Sequence, residues 1–351
     1  MGGTSGKLFN ASYTATALDQ WFSRFACKIL KIDPATNITR IEEKWEAGQK
    51  MQAVGLARPL YTSQGAEGDM SQTVKKLKDL SSSTFQSLAQ VSSNADGFRD
   101  WLIAFSRLTS ADPTPLGDMQ SSNFLTLGPV SDEVVFLHTN RGVLHALDAE
   151  TGDEIWGFIP PSVLQGRARV MKYKDGTGAW YNGDGKESRK SMPVTLLDGL
   201  LTDGIISRDQ KHVLVGTMGN GGSGIYAMDV SRVRPSPRFL WAVDNVRYEV
   251  PESPPSKGVR RWGLAAESSG GKNFDYSDLG LTIQALNICN ISEDSGSGRT
   301  VGILPGGVGY NLGADSQGKA IYVLDPENGE IHKKLELNRS EERRVGKECR
   351  S

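Results

Sequence analysis

Near the N-terminus a Gly-rich turn leads into a short strand around residues 7–11. Behind that stretch Ala17, Trp21, Phe25, Cys27 and Leu30 return at near-helical spacing. Residues 1–32 therefore predict a turn, a strand and a helix, the usual ending of an α/β domain. Residues 33–110 are polar and rich in Ser and Gln, with helical spacing only over 70–80 and 98–105, which predicts a connecting region, partly helical and partly loose. From Leu116 onward short apolar alternations are cut by Gly, Asn and Asp, the pattern of strands and hairpins.

That second half repeats itself. VVFLHTNRGVLHALDAETGDEIWGFIP at 134–160, HVLVGTMGNGGSGIYAMDV at 212–230 and TVGILPGGVGYNLGADSQGKAIYVLDPENGE at 300–330 each read as strand, Gly-containing loop, strand ending in Asp, then turn. In the first copy Asn140 and Gly142 suit the positive φ of a tight loop, and 143–147 alternates as a half-buried strand does. Asp148 is placed to accept backbone N–H groups in the next turn, where Gly152 can adopt the left-handed conformation. A lone hairpin cannot bury both of its faces, so the copies must pack on neighbours. Their aspartates, Asp148, Asp229 and Asp325, stand 81 and 96 residues apart. That is about twice the ~40–50 residues of a propeller blade, so either one copy marks two blades or the blades carry long insertions.

Composition sharpens this picture. Forty glycines among 351 residues, concentrated after residue 115, agree with many short strands and tight turns. Forty Lys and Arg against 41 Asp and Glu leave a net charge of -1, without the basic footprint of a nucleic-acid binder. The mean hydropathy is -0.38 and no run of 18 apolar residues occurs, so no helical membrane span is expected. Cys27, Cys289 and Cys349 show neither zinc-ligand spacing nor a disulfide framework. The first residues lack the charged and then apolar pattern of a signal peptide. Residues 339–351, RSEERRVGKECRS, read as translated sequencing-adapter DNA, in frame from Arg339 to Cys349. The expectation is a piece of a longer protein whose natural sequence continues beyond Asn338.

ALDAETGDEIW, with Ala146, Asp148, Thr151, Gly152 and Trp156, resembles the A-x-D-x-x-T-G-x-x-x-W docking motif of quinoprotein-type β-propellers. The second copy keeps Ala227 and Asp229 but inserts residues before Trp241, and the third has Val323 and Asn328 around Asp325. LGDMQSSNFLTLG at 116–128, GVLHALDAETGDEIWGFIPPSVL at 142–164, the second copy, DLGLT at 278–282 and the third copy resemble, in order, the PilY (also called PilC) proteins of type IV pili. The resemblance covers residues 98–337. Residues 2–30 also resemble the last strand and helix of the von Willebrand factor A-like domain that precedes the propeller in many relatives.

The resemblance implies a mainly β fold: an α/β remnant over 1–32, a partly helical connection over 33–110 and an incomplete propeller of antiparallel blades over 111–338. It also implies a non-enzymatic protein of the bacterial cell surface, pilus tip or outer membrane. Such a protein would support pilus assembly, oppose retraction, contribute to adhesion, and contact pilins, minor pilins and host or surface ligands. Calcium is implied for the whole protein, at an Asp-rich loop expected beyond Asn338. Two alternatives share the repeat: a quinone-dependent propeller oxidoreductase and an outer-membrane assembly scaffold. The first lacks the vicinal Cys pair found in many such enzymes, and the second leaves 116–128 unexplained.

Candidate chemistry within the chain is sparse. The loop at 175–187 offers Asp175, Asn182, Asp184 and Glu187 as oxygen ligands, but no EF-type register fits: Gly185 at the sixth position puts Trp180 first, and Gly183 there puts Gly178 first. His138 and His145 read as cross-strand packing residues, and the repeated aspartates as turn formers. GNGGSG at 219–224 lacks the Lys-Ser/Thr of a phosphate loop and reads as a hairpin tip. Trp101, Trp156, Trp241 and Trp262 read as core or blade-docking rings.

Overall fold

The computed structural model describes residues 7–17, 20–91, 94–104, 116–119, 121–167, 172–174, 180–182, 195–206, 208–246, 258–265, 268–269, 272–292, 298–309 and 317–337. The chain opens with an antiparallel sheet of β1 (Lys7–Ala17), β2 (Gln20–Ile32) and β3 (Thr39–Glu46). Helix α1 (Ala47–Val54) follows, with Glu46 as its N-cap accepting from the N–H groups of Gly48 and Gln49. Next come the short strands β4 (Leu60–Ser63) and β5 (Val74–Lys76), then helices α2 (Ser82–Ala89) and α3 (Ala95–Ala104). Ser81 caps α2 through the Thr84 N–H, and Gln90, at φ 54, ends it in the left-handed conformation.

Three blade-like sheets account for most of the remainder. β6 (Phe124–Leu127), β7 (Val134–Thr139), β8 (Val143–Asp148) and β9 (Glu154–Ile159) pair antiparallel in chain order, and the parallel contact of β4 with β9 adds β4 and β5 at the outer edge. After α4 (Pro161–Arg167) and the small hairpin β10 (Lys172–Lys174) and β11 (Trp180–Asn182) comes the second blade: β12 (Leu201–Ile206), β13 (Lys211–Thr217), β14 (Gly224–Asp229), β15 (Phe239–Val246) and β16 (Gly258–Trp262). A two-residue ladder, β17 (Ser268–Ser269) with β18 (Lys272–Asn273), leads to the third: β19 (Asn287–Ser292), β20 (Gly298–Pro305), β21 (Ala320–Leu324) and β22 (Ile331–Glu336). The innermost strands β6, β12 and β19 touch in succession. Sheets in sequence order, stacked face to face with their first strands together, form an arc of propeller blades.

The first two blades each divide their side chains between two cores. Phe136 and Ala146 face the β12–β16 blade with Trp156, Leu201, Leu214 and Met228, while Val135, Leu137 and Leu147 face the opening sheet. Trp241, Val215 and Ala227 meet Leu304, Tyr322 and Leu324 of the β19–β22 blade. The expected half-buried alternation over 143–147 is therefore corrected. Every residue there is buried, because both faces of the sheet are covered. Each copy marks one blade, with insertions such as 160–200 accounting for the long spacing.

Two helix expectations are also corrected. Ala17, Trp21, Phe25 and Cys27 are all odd-numbered, so their spacing satisfies a two-residue period, whereas on a helix Cys27 would stand about 160° from Phe25. β2 takes the two-residue solution: Phe25 and Cys27 are fully buried, whereas Leu30, at an even position, is 47% exposed. The strand-and-helix ending expected over 1–32 is thus a β-hairpin. Over 70–80 the chain forms β5 and a single 3-10 turn at Leu77–Asp79, since Thr62 and Ser63 of β4 pair with Lys75 and Val74. Helix α3 lies where 98–105 placed one, and α1 and α2 were not foreseen.

Candidate functional site

The repeated residues converge on the junctions between blades. Asp148 Oδ1 accepts the N–H groups of Glu150 and Thr151, both at 2.9 Å, and its carbonyl accepts Gly152 N–H at 2.8 Å. Asp325 repeats this turn, accepting from Glu327 N–H at 2.8 Å and, through its carbonyl, from Gly329 N–H at 2.8 Å. Gly152 and Gly329 lie at φ 75 and φ 70, where a side chain is strained. Asp229 accepts Ser231 N–H at 3.0 Å and pairs with Arg238 at 2.8 Å, in a longer turn that matches its inserted sequence.

Into each turn reaches a tryptophan from the strand that follows the corresponding turn in the preceding blade. Trp156 Nε1 donates to Val233 O at 2.8 Å, and Trp241 Nε1 donates to Pro326 O at 3.0 Å, with rings 1% and 0% exposed. Ala146 and Ala227 sit opposite these rings in the ladder, where a small side chain leaves room for the indole. Charges frame both junctions: Arg234 pairs with Asp148 at 2.7 Å and Asp132 at 3.2 Å, and Glu327 pairs with Arg208 at 2.7 Å and with Lys211. Trp262 donates to Gln165 Oε1 at 2.9 Å, tying α4 to the β12–β16 blade.

A buried ionic cluster was not foreseen. Arg58 Nε and Nη2 donate to the two Glu154 carboxylate oxygens at 2.5 and 2.8 Å, His145 Nδ1 lies 2.7 Å from Glu154 Oε1, and all three side chains are at most 1% exposed. Burial alone would raise the Glu154 carboxyl. The Arg58 charge and the hydrogen bonds from Arg58 and His145 overcome it and hold the group at about 2. Burial pushes His145 below its ordinary range and takes His138 down to about 4. His138 Nε2 meets Gly199 O at 2.6 Å and Nδ1 meets Tyr226 Oη at 3.3 Å, so it bridges two blades. These closed clusters join the segment before β4 to its blade and one blade to the next. They present no reactive atom to solvent.

Three further aspartates, Asp118, Asp198 and Asp278, precede the innermost strand of each blade and are at most 9% exposed. Their even 80-residue spacing was the signal available in the sequence. Asp198 accepts from Ser121 N–H at 3.2 Å and Asn220 Nδ2 at 2.7 Å, and Asp278 pairs with Lys334 at 2.5 Å. Asp175, Asp184 and Glu187 lie outside the described residues, and Asn182 closes β11. Among the described residues no group of three or more His, Cys, Asp or Glu side chains is placed to hold a metal ion. Among those residues, too, no helix is long and apolar enough to cross a membrane.

No family model matches the chain. Over 259 residues, 70% of its length, it is 26% identical to the type IV pilus biogenesis factor PilY1 of Pseudomonas aeruginosa, and over 110 residues it is 36% identical to a PilY1 homolog of Xylella fastidiosa. The chain is similar to PilY1. It spans 18% of the length of the Pseudomonas PilY1 and 8% of the Xylella homolog. The crystal structure of the Pseudomonas PilY1 C-terminal domain aligns over 59% of this chain and 30% of its own, at 19% identity and a TM-score of 0.35.

Proposed function

We propose that the chain is part of a type IV pilus biogenesis factor and acts as a non-enzymatic binding surface. The similarity to PilY1 over 70% of the chain carries this reading. The geometry supports it from the other side: the repeated Asp, Gly and Trp residues are engaged in blade junctions, and the perturbed buried groups His138, His145 and Glu154 are sealed in ionic and hydrogen-bonded contacts. Perturbed groups at an active site would face a cleft.

On this reading the propeller arc docks on pilins or minor pilins at the pilus tip, at the cell surface. There it favours assembly over retraction, adhesion to host or surface ligands is a further role, and calcium acts on the whole protein. A chimaera in which this chain replaces the matching segment of PilY1 tests the proposal in a Pseudomonas aeruginosa strain lacking its own copy. Restored surface pili and twitching motility are expected. A chimaera that is exported and folded yet restores neither would overturn the assignment. The enzymatic alternative is tested by dye-linked alcohol or sugar oxidation after addition of pyrroloquinoline quinone and calcium, where turnover no higher than background is expected.

A further inference from the structure

The opening sheet β1–β3 shares no recognisable sequence motif with the blades, yet it reproduces their construction in register, turn and docking contact. In the β6–β9 blade Ala146 lies opposite Trp156 and the ladder slips by one residue between Ala146 and Leu147. In the β12–β16 blade Ala227 lies opposite Trp241, with the slip between Ala227 and Met228. In the opening sheet Cys27 lies opposite Trp45, with the slip between Cys27 and Lys28. A bulge at the same place relative to the tryptophan sets the same twist in the strand that carries it.

The turn between the last two strands matches as well. Asp33 Oδ1 accepts the N–H groups of Ala35 at 2.9 Å and Thr36 at 3.4 Å, its carbonyl accepts Asn37 N–H at 2.8 Å, and its own N–H donates to Ile38 O at 3.0 Å. Asp148 makes the same four contacts with Glu150, Thr151, Gly152 and Asp153. Asn37, at φ 53, takes the place of Gly152 at φ 75.

The contact with the next blade completes the likeness. Trp45 Nε1 donates to Ala149 O at 3.3 Å, as Trp241 Nε1 donates to Pro326 O, and Ala149 and Pro326 each follow the turn aspartate. A Cβ built on Gly152 would stand 2.4 Å from the Trp45 ring, and one built on Gly329 would stand 2.9 Å from the Trp241 ring. The acid two residues after Asp148 and after Asp325 is held by two cations of the preceding sheet: Glu150 by Lys7 and Lys44, Glu327 by Arg208 and Lys211. Phe9, Phe25, Trp45 and Phe124 fill the junction, with ring centroids 5.2 to 6.1 Å apart.

From this threefold match we infer that residues 7–46 are a blade of the same propeller, docked ahead of the β6–β9 blade through a Trp45–Gly152 socket. The segment is neither the end of a separate α/β domain nor a linker. The socket has a direction, the tryptophan after the turn of one sheet into the turn of the next, and all three junctions obey it.

Hydrogen exchange on the full chain tests the inference, comparing Trp45→Ala, Trp45→Phe, Gly152→Ala and the Trp45→Ala/Gly152→Ala pair with Trp241→Ala and Gly329→Ala. Trp45→Ala is expected to speed exchange at least tenfold over 39–46 and 148–153 together, leaving 201–336 unchanged. Trp45→Phe, which keeps the ring and loses the N–H, should do the same more weakly and serves if the alanine variant fails to fold. Gly152→Ala should reproduce the pattern from the other side, and adding it to Trp45→Ala should cost less than it does alone. The Trp241 and Gly329 variants should give the corresponding pattern at 320–330. Unchanged protection of 148–153 in both Trp45 variants would overturn the inference. So would full additivity of the Trp45 and Gly152 changes, or retention of native protection over 7–46 in Trp45→Ala, as in an independent domain.

Discussion

At the residue scale Trp156 concentrates the physics of the blade junction. It removes a large apolar surface from water, and its one polar atom keeps a partner at Val233 O. Trp156→Ala is expected to destabilise the chain by about 3–5 kcal/mol in a denaturant titration, as other large core truncations do. The turn residues were legible because Asp and Gly act on the backbone within a few positions. Arg58 and Glu154 were not, because nothing local marks two residues 96 apart as one ion pair. His138 makes the stability pH-dependent. Its pKa falls from 6.5 to about 4 on folding, so the unfolded chain binds the proton more tightly, and stability is full above pH 6.5 and declines as the pH falls toward 4. The loss is on the order of 3 kcal/mol at complete protonation. Glu154, lowered from 4.5 to about 2, adds a further loss below pH 4.5. Urea titrations from pH 7 to 4 should show this decline, and His138→Gln should reduce its slope between pH 6.5 and 4, leaving the share of His145, which burial also lowers. An equal slope in the variant would remove His138 as the cause.

At the scale of elements, β2 shows why a pattern of apolar residues can be read correctly and assigned wrongly. Positions four apart share a face in a helix and in a strand alike, so Trp21 and Phe25 could not separate the two. Cys27 and Leu30 distinguish them: a strand puts Cys27 on the face of Phe25 and Leu30 on the other, whereas a helix turns Cys27 about 160° away from Phe25 and sets Leu30 beside Cys27. The strand predicts that Leu30→Lys changes stability by no more than about 0.5 kcal/mol. Phe25→Ala should cost about 3–5 kcal/mol. Matched thermal melts of the two variants decide this, and a large loss from Leu30→Lys would restore the helix. The blades themselves were easier to read, since Gly142 and the Asp-x-x-Thr-Gly turn mark where a strand must end. The six-strand width of the β6–β9 sheet was not legible, because β4 joins it in parallel from nearly a hundred residues away.

At the scale of the whole molecule the question is whether an arc joined by tryptophan sockets also responds to an ion. Blade stability here comes from apolar cores and from charges already paired within the chain, as Lys334 shows between Asp275 and Asp278. Burial would raise the Asp275 carboxyl, but hydrogen bonds from Lys334 and Ser277 hold it at about 2, so it is ionised and paired at neutral pH. A cation would have to displace that lysine. The sequence over 175–187, with Asp175, Asn182, Asp184 and Glu187, fits no EF-type register, so it gives no reason to expect tight binding. A calcium site filled at a hundredfold excess over Kd would stabilise the chain by ~2.7 kcal/mol and raise its melting temperature by several degrees. For this chain we expect no shift between millimolar calcium and excess chelator, measured by differential scanning calorimetry. A rise that Asp184→Asn abolishes would place a site in 175–187, whereas a rise that survives that change would place it elsewhere in the chain. With no rise, any calcium dependence of the whole protein would have to enter through a segment other than these blades.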